Sequence, residues 1–187
     1  MDKIRKNAEL VLSELRAVFE RLDGAEGKDF LDRLVGARRV YVTGQGRSGL
    51  IVKTFAQRLM HLGLTVHVVD EITTPRIGSG DLLVACSGSA STRITQDSMS
   101  SAMEAGAAVV LLTACPDGPM GDFADLIVTI PAGRSDESAP GKVLSRQPQR
   151  SLFEQALLVY FDSVVLALRD HLRVPEEQMA RRHTNIE

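Results

Sequence analysis

Two short polar runs in this chain have the residue types and spacing to handle an anion. Residues 44–49 read GQGRSG and residues 87–92 read SGSAST. The first run is a literal G-x-G-x-x-G, and Asp70 stands about 20 residues further on, so one reading is a dinucleotide fingerprint. The plainer reading is that the glycines only permit a tight strand-to-helix turn. Within this run Gly46 would let a ligand approach the backbone, Ser48 offers a hydroxyl, and Arg47 is either an anion partner or an exposed loop arginine. The second run supplies Ser87, Ser89, Ser91 and Thr92. Hydroxyls combined with the unpaired N–H groups of a helix start make a phosphate cradle that needs no net positive charge. Capping of that helix by Ser91 or Thr92 is the structural alternative, and the two are compatible.

Two further residues are candidates for proton transfer. Glu154 sits in the first turn of a long apolar helix, just after a long loop. It is a candidate general base, or else a solvated glutamate favoured by the helix dipole. His183 lies in the C-terminal tail, where an exposed histidine is the plainer alternative. His61 and His67 belong to an apolar helix–strand unit and read as structural. Asp70 and Glu71 read as solvated residues at a strand end. No His/Cys/Asp/Glu grouping has metal-ligand spacing, and no cofactor is expected.

Elements that could position these residues follow from hydrophobic periodicity. Ile4, Ala8, Val11, Leu15, Val18 and Leu22 recur at helical spacing over 3–22, Asp23-Gly24 breaks that helix, and a second covers 28–36. Strands are expected at 39–43, 65–69, 81–86, 108–113 and 126–130, with helices at 48–62 and 92–105 between them. The strand interiors are almost continuously apolar, which marks a parallel sheet covered on both faces. Both polar runs then fall at carboxyl ends of strands, where ligands bind in such sheets. Residues 131–150, PAGRSDESAPGKVLSRQPQR, read as a long surface loop. A helix over 151–171, apolar on more than one side, is expected to pack on the sheet and on another subunit. Pro175 opens a last short helix. The expected architecture is one domain: N-terminal helices over 1–36, a five-stranded parallel sheet core over 37–131 in a three-layer α/β/α sandwich, the loop 132–150, and C-terminal helices and tail over 151–187.

Composition narrows the partners. The 187 residues hold 22 Lys and Arg against 24 Asp and Glu, a net charge of -2, so no basic face calls for nucleic acid or an anionic membrane. No stretch is expected to reach the roughly 18 apolar residues of a membrane span. The charged N-terminus does not read as a signal peptide, and the two cysteines, Cys86 and Cys115, read as free thiols of a reducing, cytoplasmic compartment.

With Ser48 ending the first loop, and with Ser87, Ser89 and Thr92 in the second, the chain resembles the SIS (sugar isomerase) superfamily, whose second loop runs Ser-x-Ser-Gly-x-Thr. Ala90 and Ser91 stand where that family has Gly and Glu, and Ala90 suggests a position that does not demand positive φ. Further segments resemble the 6-phospho-3-hexuloisomerases within it: GRSGL at 46–50, RLMHLGLTVHVV at 58–69, TTP at 73–75, SLFEQ at 151–155 and RHTNIE at 182–187. Arg150 replaces the glycine usual before SLFEQ. The resemblance implies a flavodoxin-like fold and a phosphorylated sugar held by Ser48, Ser87, Ser89, Thr92, Gly46 and Arg47. It implies interconversion of D-arabino-hex-3-ulose 6-phosphate and fructose 6-phosphate through an enediol, with Glu154 as base and His183 as a second catalytic group. A homotetramer with sites near subunit interfaces, and a role in formaldehyde fixation by the ribulose monophosphate pathway, are implied as well. The alternatives are another SIS isomerase, acting on a pentose or heptose phosphate, and a non-catalytic phosphosugar-sensing module.

Overall fold

A computed structural model describes residues 2–137 and 141–186. Helices α1 (Lys3–Phe19) and α2 (Gly24–Gly36) lead into alternating strands and helices: β1 (Val40–Gly44), α3 (Gly46–Leu62), β2 (Val66–Val68), β3 (Leu82–Cys86), α4 (Arg93–Glu104), β4 (Ala108–Thr113) and β5 (Leu126–Thr129). Two short strands, β6 (Ala132–Arg134) and β7 (Val143–Ser145), precede α5 (Ser151–Leu172) and α6 (Glu176–Arg182). The five main strands are all parallel and run in the order β2-β1-β3-β4-β5.

The period of two along each strand splits the core into unequal halves. Val40, Val42, Leu82, Val84, Val110 and Leu112 face a thick layer made of α1, α2, α3 and α5. There Phe55 of α3 stacks on Phe161 of α5 with ring centroids 4.1 Å apart, and Phe30 of α2 packs against Phe55. Tyr41, Leu83, Ala85, Val109 and Leu111 face a thinner layer, with Met99 and Ala102 of α4 packed against them. The expected three-layer α/β/α sandwich with helical additions at both ends is what the chain forms.

Three local expectations change. Asp23-Gly24 is not a break alone, because Asp23 Oδ1 accepts from Ala25 N at 2.8 Å and so caps the start of α2. The segment read as a loop carries the parallel pair β6–β7, with Ala132 opposite Val143. Glu14 of α1 ties that ribbon down, accepting from Ser145 Oγ at 2.7 Å, Arg146 N at 2.8 Å and Gln147 Nε2 at 2.9 Å. Burial pushes the Glu14 carboxyl upward, but these hydrogen bonds outweigh it and hold the group below its ordinary range. Finally, α5 is long and apolar enough by length and composition to cross a membrane, contrary to the expectation for this chain. Its apolar side chains pack on α3, α1, α2 and β6, so a core helix meets the same description.

Candidate active site

The switch in strand order falls between β1 and β3, where crossovers leave in opposite directions and open a crevice at the carboxyl ends. Register makes the two strands end together, with Gly44 opposite Cys86. The first loop (45–48) and the second (87–92) therefore start side by side.

Glycines shape the first loop. A side chain on Gly49 would place its Cβ 2.5 Å from Gly44 O, so only glycine lets α3 start this close to its own strand. Gly46 has φ +59°, which turns the chain sharply and leaves its backbone exposed. Gln45, at the helix start, makes no capping side-chain bond, so the first N–H groups of α3 remain available to a ligand. Arg47 is exposed and Ser48 half-buried within that first turn.

In the second loop the hydroxyls bond to one another. Ser87 Oγ and Thr92 Oγ1 lie 2.9 Å apart, and Ser91 Oγ donates to Ser89 Oγ at 2.9 Å. Thr92 occupies the N-cap position of α4 without capping it, so the structural alternative for these hydroxyls is not realised here. The N–H groups of the first turn of α4 and a cluster of four hydroxyls thus meet at one place. Ala90 corrects an expectation. Its φ is +48°, so the position does demand the left-handed conformation for which the family uses glycine. The turn is fixed by Ala90 N donating to Ser87 O and by Met120 N donating to Ala90 O, each at 3.1 Å. The methyl is fully buried against the thin-layer core, with Gly118 leaving room for it.

The start of α5 closes over this loop. A Cβ on Gly88 would lie 2.8 Å from Phe153 Cδ1 and 3.0 Å from Arg150 Cδ. Glu154 follows, its side chain only 14% exposed, and forms an ion pair with Arg47 Nε. A base candidate, a guanidinium and two loops rich in hydroxyls and free amides are therefore assembled from three separate stretches of chain.

His183 is not brought to this cluster within the same chain. Its ring packs on that of His61 with centroids 5.1 Å apart. His61 closes the far end of α3 from Arg47, roughly 20 Å away at about 1.5 Å per residue. His61 is buried and within 3.4 Å of Arg58 Nη1, and His67 packs on Tyr41 at 5.2 Å, in keeping with structural roles. Asp70 and Glu71 are exposed. Glu187, which ends RHTNIE, and residues 138–140 lie outside the described residues. A groove of about 480 Å³ lies elsewhere, between α4 and the segment after β2, lined by Tyr41, Glu71, Ile94 and Asp97. It contains none of the loop residues, so the convergence of chemistry, not volume, selects the site.

Apart from Arg150, sequence reasoning did not anticipate the charges that border the second loop. Glu137 accepts from Arg150 Nη2 at 2.8 Å and from Arg134 N at 3.2 Å, with Lys142 Nζ at 3.6 Å. Lys142 also donates to Cys115 Sγ at 3.3 Å. These residues fall in a stretch whose Pro, Gly and Ser content masks any period, and the ribbon register alone places them.

The SIS domain family model matches residues 33–159, and the chain belongs to that family. It is 41% identical over 186 residues to a Mycobacterium gastri protein named 3-hexulose-6-phosphate isomerase, covering 100% of this chain and 92% of that protein. A Bacillus subtilis protein of the same name is 36% identical over 177 residues, covering 95% of each. Among solved structures, a Methanococcus jannaschii protein whose structure was taken to infer a function of 3-hexulose-6-phosphate isomerase superposes with a TM-score of 0.85. It is 26% identical, and the match covers 97% of this chain and 99% of that one.

Proposed function

We propose that this chain is an isomerase that interconverts D-arabino-hex-3-ulose 6-phosphate and fructose 6-phosphate. The names of its full-length relatives support the substrate. The observation that carries the chemistry is the pairing of Glu154 with Arg47 beside two hydroxyl- and amide-rich loops.

In this reading the phosphate rests on Ser48, Ser87, Ser89 and Thr92 and on the backbone at Gly46. Glu154 removes the proton from C2 of the 3-ulose, and the C2–H electron pair forms the 2,3-double bond while O3 gains charge. Arg47 balances that charge. Transfer of a proton from O2 to O3, and return of the carbon-bound proton to C3, gives the 2-ulose. No electrons leave the sugar, so the reaction calls for no redox partner. His183 acts as the proton carrier between the oxygens, or as the acid that opens the fructose ring. Because it lies at the far end of α3, it acts in a neighbouring copy's site. The protein is then a cytoplasmic homotetramer with sites near subunit interfaces, serving the ribulose monophosphate pathway. Exposed Ile4 and Leu12 on α1 and Leu166 on α5 supply apolar surface for such contacts.

Carbon NMR of fructose 6-phosphate incubated with purified protein tests the reading. A C3 ketone signal should grow in, and Glu154→Gln should abolish it while still binding fructose 6-phosphate. Binding without conversion by the unaltered protein would replace the reading with a different sugar phosphate or a sensing role.

A further inference from the structure

The charges around Glu137 do not balance, although Arg134 is matched by Asp136. Arg47 is matched by Glu154. Arg150 and Lys142, however, share the single carboxylate of Glu137, at 2.8 Å and 3.6 Å. One positive charge is left over. Arg150 carries it in a distinctive way. Its Nη2 reaches Glu137, but its Nη1 is buried and has no hydrogen-bond partner among the described residues. Burying a guanidinium N–H without an acceptor is costly, so the arrangement favours any acceptor that can reach it. The stem of the same side chain lies on Gly88, in the middle of the hydroxyl loop, close enough that a Cβ there would sit 3.0 Å from Arg150 Cδ. The surplus cation, at the start of α5, thus lies against the loop that the proposed function assigns to phosphate.

We infer that Arg150 is a phosphate-binding residue of this site, held by Glu137 when the site is empty and shared with the substrate's phosphate when it is filled. The inference rests on the reading of residues 87–92 as the phosphate cradle. A phosphate dianion supplies the acceptor that Nη1 lacks, and arginine's planar fork suits two phosphate oxygens at once. Glu137 competes for the same guanidinium, so its carboxylate sets how readily the arginine turns to the ligand.

Calorimetric titration of the full-length protein with fructose 6-phosphate and with inorganic phosphate separates the possibilities. Arg150→Gln should weaken both by about tenfold or more, the usual worth of a charge-assisted hydrogen bond. Glu137→Gln should tighten both, because it removes the competitor while keeping the shape. A merely structural strap predicts instead that the two substitutions weaken binding alike, and that result would overturn the inference. It is likewise overturned if Arg150→Gln changes nothing while Ser87→Ala weakens binding, which leaves the cradle standing without the arginine. If neither Ser87→Ala nor Arg150→Gln changes phosphate binding, the cradle reading fails and the inference with it. Should Arg150→Gln not fold, Glu137→Gln decides the matter by the sign of its effect.

Discussion

Ala90 and Gly88 show how closely the 87–92 loop is specified at single positions. Ala90 sits at φ +48°, a conformation that costs an L-residue about 1–2 kcal/mol, yet its methyl is fully buried. Burying that methyl returns about 0.8 kcal/mol. Ala90→Gly removes both effects, so its net change in unfolding free energy is expected within about 1 kcal/mol, read by urea denaturation. A larger loss would mean that the methyl packs far more productively than its size suggests. Gly88→Ala is a different case. The new Cβ would fall 2.8 Å from the Phe153 ring, which is itself buried, so the loop or the start of α5 must move. A loss of about 1–3 kcal/mol is expected, with at least tenfold weaker fructose 6-phosphate binding from the displaced hydroxyls.

Among the elements, the β6–β7 ribbon depends most on one distant group. Glu14 gathers Ser145, Arg146 N and Gln147 Nε2 from α1, over 130 residues away in the chain. Glu14→Ala leaves those donors partly buried without an acceptor, at about 1–3 kcal/mol. Faster amide exchange should then appear across 132–134 and 143–147 while β1 and β3 stay protected. The opposite end of the sheet has a clamp of its own. Asp81, whose side chain is fully buried, accepts from Arg39 Nη2 at 2.6 Å and from Arg38 Nε at 3.1 Å. The Arg39 hydrogen bonds hold its carboxyl far below the usual range against the upward push of burial, and Arg38 and Gly78 N–H add to this. The folded value is depressed, so the stabilisation is complete above the unfolded value near 4 and is lost as pH falls below it. Asp81→Asn should flatten the acid limb of the unfolding profile below about pH 4 and lower stability at pH 7.

At the scale of the whole molecule, the separation of Glu154 and His183 is the decisive feature. Within one chain they sit near opposite ends of α3, Glu154 against Arg47 and His183 against His61. If His183 serves a neighbouring copy, Glu154→Gln and His183→Asn proteins, each nearly inactive, should regain activity when unfolded together and refolded as mixed assemblies. A mixture that stays inactive, though mixed assembly is shown by mass, would remove His183 from a shared site.

Much of this was legible in the chain itself. Continuous apolar strands, separated by helix periods, determined a parallel α/β sheet, because only a strand buried on both faces tolerates such a run. The two polar loops and Glu154 were legible because strand ends and helix starts leave backbone groups that side chains and ligands must satisfy. Tertiary structure alone decided what lies between elements. The left-handed turn at Ala90 is imposed by Met120 N and Ser87 O, and local preference for alanine gives no sign of it. The ribbon in 131–150 exists because Glu14 and parallel pairing supply partners that no local period encodes. The ion pair of Arg47 with Glu154, 107 residues apart, and the unequal sharing of Glu137 are set by which loops the sheet's register brings together. A sequence encodes each element's faces through local spacing, but the meeting of distant charges depends on packing that only the folded chain fixes.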